Sequence, residues 1–267
     1  MIARIPRGVA KLATALVAAT AVAAITVGTA SAAVVYNNVP APLPGNLPSV
    51  GFEATSTSEF GGLVEFAATQ RREPAVTVVM SVWSCEFGSG ATCATVSGAT
   101  FPQQITLNIY NMNAITHEPE GAPISTTQQT FQIPYRPTEN KKCPGSPEGK
   151  GWVKECFKGK THAIVFHPTE VTLPAKAIIS VAYNTQTYGA KPTGEEGPYN
   201  SLNVAVTDPE EGPVTPSVGS DPLPEYDYAN SLWSAMYEPE PHGTVGTFSL
   251  ANGWTGYQPV FKVAAKK

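Results

Sequence analysis

Three glutamates, Glu53, Glu59 and Glu65, sit at even separations along a stretch that reads as extended chain. Side chains two apart in a strand share a face, so all three fall on one side. Two carboxyl groups facing each other across a groove are the equipment of a glycosidase. The same spacing also describes an ordinary wet strand face, so a carboxylate-dependent hydrolase is the alternative reading rather than the first.

The other chemistry-bearing group is aromatic. Tyr226, Tyr228, Trp233, Tyr237, Trp254 and Tyr257 gather toward the C-terminus. Sugar rings have an apolar face and polar edges, so exposed Trp and Tyr platforms suit carbohydrate. Trp233 and Tyr237, four apart in a strand-like run, point to one face, while Leu232 and Met236 point to the core. Trp254 lies in the Gly-flanked loop 252–256, with Tyr257 just after it. Trp233, Tyr237, Trp254 and Tyr257 are therefore the expected ligand contacts. Core packing is the competing role for the same rings.

Motifs for other chemistry are missing. No Ser has the flanking glycines of a nucleophile elbow, and there is no HExxH, P-loop or GxGxxG. His162 and His167, five apart in extended chain, point to opposite faces and suit no shared metal. Glu195-Glu196 and the group Asp208, Glu210 and Glu211 offer oxygen ligands but lack the Asp-x-Asp-x-Asp-Gly spacing of a calcium loop. They read as solvated charge. Neither a metal nor a cofactor is expected, and the chain reads as non-catalytic.

Four cysteines, Cys85, Cys93, Cys143 and Cys156, form two local pairs with seven and twelve residues between their members. Zinc ribbons space their cysteines more closely, so disulfides are the better reading. Of the three possible pairings, Cys85–Cys93 and Cys143–Cys156 each close a short loop. Chain entropy makes each worth roughly 2.5–3 kcal/mol.

These cysteines fit an exported protein. Arg4, Arg7 and Lys11 precede the apolar run Leu12–Val27, and Ala30-Ser31-Ala32 resembles a cleavage site, so residues 1–32 read as a signal peptide. The expected location is secreted. No LPxTG motif or apolar C-terminal tail follows, so no stable membrane anchor is expected. Removing Arg4, Arg7 and Lys11 from 17 basic side chains leaves 14 against 21 acidic ones, a net charge of −7. Such an acidic chain is a poor partner for nucleic acid.

The elements that must position these residues are strands. Gln104–Asn111 alternates Ile105, Leu107 and Ile109 with polar residues, and Ser125–Ile133 is a second Thr-rich run. The Pro- and Gly-bearing loop Met112–Ile124 lies between them. Period-two alternation predicts an antiparallel pair with one face buried. Ala75–Trp83, apolar on both faces, predicts a central strand. Further strands are expected at Ala33–Asn38, Leu63–Ala68, Thr161–Phe166, Ala177–Asn184, Ser201–Val206, Ser231–Tyr237, Gly246–Leu250 and Pro259–Ala264. Thr207–Pro224 has a linker's composition but reads as a long loop, since the strands after it are too few for their own core. About ten short strands with long Pro/Gly-rich loops predict an all-β fold, with residues 33–267 as one antiparallel β-sandwich and a jelly roll as one form of it.

Tyr36-Asn37-Asn38-Val39-Pro40, Pro44-Gly45-Asn46 and Gly51–Gly61 resemble the start of secreted bacterial proteins of unknown function. Ile105–Asn111, Thr130–Pro137, Tyr183–Gly189, Pro198–Asn203 and Gly256–Val260 extend the likeness over the chain. The resemblance implies a β-sandwich and secretion, and carries no catalytic or binding residues. The functional expectation is a secreted binding or adhesion module, with an extracellular glycan as its ligand. Non-reducing peptide mapping should find both local bridges, Cys143–Cys156 included; four free thiols or a Cys85–Cys156 cross-link would overturn the pairing.

Overall fold

Alternating apolar residues become strands because a pleated chain sends successive side chains to opposite faces. The computed structural model describes residues 32–52, 55, 57–69, 71–88, 93–138, 159–183, 201–209, 215–230, 247–252 and 256–266. Among these there is no helix. The strands are β1 (Ala33–Asn37), β2 (Ser49–Val50), β3 (Glu59–Glu65), β4 (Arg72–Val82), β5 (Thr100–Tyr110) and β6 (Ser125–Pro134). They continue with β7 (Lys160–Phe166), β8 (Lys176–Ala182), β9 (Leu202–Ala205), β10 (Tyr226–Ala229), β11 (Ser249–Asn252) and β12 (Phe261–Lys266).

Two antiparallel sheets result. The first runs β1-β12-β4-β9-β2, with β7 also on β4. The second runs β11-β10-β3-β8-β5-β6. The expected pair β5–β6 forms, with Ile105 opposite Gln129 and Asn108 opposite Thr126. It closes one end of the second sheet, and β6 is the edge. The central strand expected at Ala75–Trp83 is β4, bonded along both edges. One edge carries β7 from Val76 to Val82, and the other carries β12 up to Val78 and then β9 from Met80.

The core lies between the sheets. Val76, Val78, Met80 and Val82 of β4 face Phe60 and Val64 of β3, Ile105, Leu107 and Ile109 of β5, and Ile179 and Val181 of β8. Phe131 of β6 meets Phe166 of β7 edge-on at 4.9 Å, joining the two sheets at one side. Burial on this scale contributes roughly 1.5–3 kcal/mol for each large side chain.

Part of the outer face of the first sheet is covered too. Val79 points outward from β4 and packs with Leu47, Ala205 and Val260. The Pro-rich segment 40–48 therefore lies across the first sheet. Thr161 donates to the Pro44 carbonyl at 2.6 Å and Ser81 to Asn46 at 2.7 Å, which hold the segment there.

Several sequence expectations shift. The strand expected at Leu63–Ala68 begins earlier, at Glu59, because β3 pairs with β8 from Glu59 to Glu65. Tyr226–Ala229, which is not among the strands expected from the sequence, is β10 and joins β3 to β11. The described part of Thr207–Pro224 packs back on the sandwich, with Asn37 donating to the Val218 carbonyl and Glu65 bridged to Ser220. The Cys85–Cys93 disulfide is present. Cys143, Cys156 and the run Ser231–Tyr237 lie outside the described residues, as does residues 1–31 of the expected signal peptide. Among the described residues, no helix is long and apolar enough to cross a membrane.

Leu107→Ala should cost about 2–5 kcal/mol, since it opens a cavity between the sheets. Thr130→Ala, on the exposed face of the edge strand, should stay within about 0.5 kcal/mol. Urea unfolding midpoints of the two variants test the assignment of faces.

Candidate functional site

Glu59, Gly61, Leu63 and Glu65 of β3 point away from the core, so Glu59 and Glu65 share a face as their spacing predicts. Six residues of strand separate them by about 20 Å. Two carboxyl groups that act on one glycosidic bond stand much closer, within about 10 Å. Glu65 is further committed: it accepts from Ser220 at 3.0 Å and pairs with Lys176 at 3.7 Å. Glu53 lies outside the described residues.

Glu59 is held differently. Its Oε1 accepts from Asn108 Nδ2 at 2.9 Å, the Tyr110 hydroxyl at 2.9 Å and the Ser180 hydroxyl at 2.6 Å. These donors come from β5 and β8, and pairing places them there: Asn108 lies opposite Ser180 on β8, which lies opposite Gly61 on β3. A side chain at position 61 could not fit, because its Cβ would meet the Ile179 carbonyl oxygen and lie 2.6 Å from Ser180 Cβ. Glycine there lets the strands approach and opens the space that Ser180 and Glu59 share. Burial, and then the charge of Glu59, raise the Tyr110 phenol well above its usual range, so it stays a donor.

Glu59 marks a border on the outer face of the second sheet. On one side the face is apolar. Leu63, Tyr110, Ile178 and Tyr228 lie there, packed by Met112, Leu223, Phe248 and Leu250. Tyr110 stacks on Phe248 at 5.3 Å. The loop after β5 closes over this side, with Tyr228 donating to the His117 carbonyl at 2.7 Å and Leu250 N–H to the Glu118 carboxylate at 2.9 Å.

On the other side the face is polar and open. Thr126 donates to Asn108 at 3.0 Å, Gln128 to Thr106 at 3.3 Å and Thr100 to Gln132 at 3.2 Å. These cross-strand pairs run the length of β5–β6, and Thr126, Gln128, Thr130 and Gln132 are exposed. Among the described residues, the three bonds to the Glu59 carboxylate go to Oε1, which leaves Oε2 as an acceptor at the head of this strip. The result is a row of side-chain donors and acceptors along two paired strands.

The expected aromatic platform is only partly described. Tyr257 is half-buried and packs on the interlayer core, so it serves as packing. Trp233, Tyr237 and Trp254 lie outside the described residues, as do Glu195, Glu196, Glu210 and Glu211. Tyr226 and Tyr228 lie on β10, and Tyr228 is buried under the β5–β6 loop. His162 and His167 stay apart from other candidate ligands, and burial followed by the Lys160 charge lowers the His162 imidazole. Among the described residues, no three His, Cys, Asp or Glu side chains converge in a way that would hold a metal.

Sequence reasoning singled out Glu59 only as one of three glutamates on a shared strand face, with a carboxylate-dependent hydrolase as the alternative reading. The Glu59 partners Asn108, Tyr110 and Ser180 were missed, since they lie 49 to 121 residues away. The one local signal is Thr and Gln on alternate positions of Ser125–Ile133. Compared with known protein families, curated proteins and solved structures, the chain matches none.

Glu59→Ala strands three donors, all of them on buried residues, so it should lower stability by about 1–3 kcal/mol. Glu59→Gln keeps an acceptor in place and should cost less. Chemical denaturation of both variants separates the two, and equal losses would mean that the donors do not depend on Glu59.

Proposed function

We propose that the protein is a secreted, non-catalytic β-sandwich that binds a polyhydroxylated ligand, an extracellular glycan being the class its chemistry fits. The observation that supports this reading is the open polar strip on β5–β6, headed by the Oε2 atom of Glu59. Sugar hydroxyls both donate and accept, and they meet best a surface on which Thr, Gln, Asn and carboxylate groups alternate. The strip is built on paired strands, so its groups are placed before the ligand arrives and little ordering entropy is lost on binding.

Stacking on aromatic rings is the usual complement to such hydrogen bonds. Trp233, Tyr237 and Trp254 are the proposed source, with Trp254 foremost because loops carry binding residues on a rigid scaffold. The signal-like N-terminus and the Cys85–Cys93 bridge support an oxidising, extracellular location. A hydrolase is the weaker reading. Glu59 and Glu65, the pair that could have served it, are too far apart along β3.

A glycan screen of the secreted form should identify at least one ligand. Binding should then fall at least tenfold in a Gln128→Ala, Thr130→Ala double variant whose melting temperature is unchanged. Trp254→Ala should weaken the same binding with little loss of stability. Loss of binding in Trp254→Ala alone would move the site off β5–β6, and no binding across the screen would overturn the glycan reading.

A further inference from the structure

A second group of acids lies inside the sandwich, away from the outer strip. Asp227 of β10 alternates with Tyr226 and Tyr228, so the tyrosines turn outward and the carboxylate turns in. Its side chain is fully buried, and neither oxygen has a hydrogen-bond partner among the described residues. Asp221, six residues earlier, sits beside it. Asp221 Oδ1 accepts from the Leu223 N–H at 2.9 Å, but its Oδ2 is also buried without a partner. Neither carboxylate has an ion-pair partner among the described residues, where the pairs are Lys176–Glu65 and Lys266–Glu73.

Three orphaned carboxylate oxygens in one interior are costly, since each buried charge without a partner loses several kcal/mol of hydration. Burial raises the Asp227 carboxyl well above the usual carboxylate range, and the Asp221 charge adds to this. Tyr36 of β1 is buried close enough to feel both charges, which add to burial in holding its phenol protonated. The β3 position nearest Asp227 is Gly62, where a Cβ would stand 3.4 Å from Asp227 Oδ1 and 3.1 Å from Pro259. Glycine keeps that space beside the carboxylate clear.

We propose that Asp221 and Asp227 bind a calcium ion at the end of the sandwich where β10, β3 and the 215–225 segment meet. Two carboxylates balance a divalent charge, whereas a monovalent cation leaves one buried negative charge over. Hard cations take carboxylate, carbonyl and water oxygens, and calcium accepts an irregular set of six to eight where magnesium demands a strict octahedron. The two side chains supply the anionic ligands; backbone carbonyls and water complete the shell. The site is independent of the glycan reading. Its role is to tie the 215–225 segment to β10, since Asp221 belongs to the first and Asp227 to the second.

The test uses the full chain, stripped with chelator and dialysed free of metal. Calcium added in about 100-fold excess over its dissociation constant should raise the melting temperature by about 5–10 °C. Magnesium at equal concentration should do much less. Terbium should bind in calcium's place and luminesce when tyrosine is excited, through Tyr36. Asp227→Asn should lose both responses, while melting no lower than the metal-free parent because it removes a buried charge. If that variant does not fold, Asp221→Asn is read in its place. No calcium shift up to about 10 mM, beyond the range of weak extracellular sites, would overturn the proposal. So would a shift retained by the Asp variants.

Discussion

β4 is bonded along both edges, and the rest of the sandwich depends on that. A strand can be apolar on both faces only if all its backbone N–H and C=O groups are paired, since a buried unpaired group costs as much as a lost hydrogen bond. Three strands share the task on β4: β7 on one edge, β12 and β9 in succession on the other. Where β12 and β9 meet, Val79 donates to the Val260 carbonyl and Val260 to the Ala205 carbonyl, so the ladder is not interrupted at the junction. With its backbone satisfied, β4 places four side chains into the interlayer core and Val79 into the outer cluster. Both ends of the described chain are drawn in as well, because β12 carries β1 on its far edge.

The second sheet has its own apolar central strand in β8, bonded to β3 and β5, yet its outer face is mixed. Part of that face is shielded by the loop between β5 and β6, which Tyr228 and the loop's own Glu118 tie to β10 and β11. The rest is left to Thr, Gln and Asn, whose side chains bond across the strands. Glu59 lies where the two regimes meet. A carboxylate at that border needs donors, and Gly61 provides the room for Ser180 to be one of them. One missing side chain thus fixes the spacing of β3 and β8 and the orientation of the acid beside it.

Glu59 and Asp227 show two ways for a sheet to hold a carboxylate. Glu59 has three donors from neighbouring strands and keeps one oxygen for the surface. Asp227 has none and no surface. The first arrangement stabilises the protein by itself. The second does so only when a positive charge balances it, so the two acids have opposite consequences for stability although both lie on short strands of one sheet.

Alternation in the sequence was enough to establish an all-β sandwich, the β5–β6 pair, the central place of β4 and the Cys85–Cys93 bridge. Each of these depends on residues close in the chain: a period of two, a run of β-branched side chains, a loop of seven residues. β10 escaped because four residues with an acid among them carry too little alternation to stand out, and pairing with β3 and β11 makes it a strand. The same limit applies to the sites. That Glu59 and Glu65 share a face followed from even spacing. That Glu59 bonds Asn108, Tyr110 and Ser180, while Glu65 bonds Lys176 and Ser220, did not. Nor did the meeting of Asp221 and Asp227 inside the sandwich, where one acid turns inward with its strand and a returning loop delivers the other. Local periodicity decides which way a side chain points. Only the pairing of distant strands decides what it meets there.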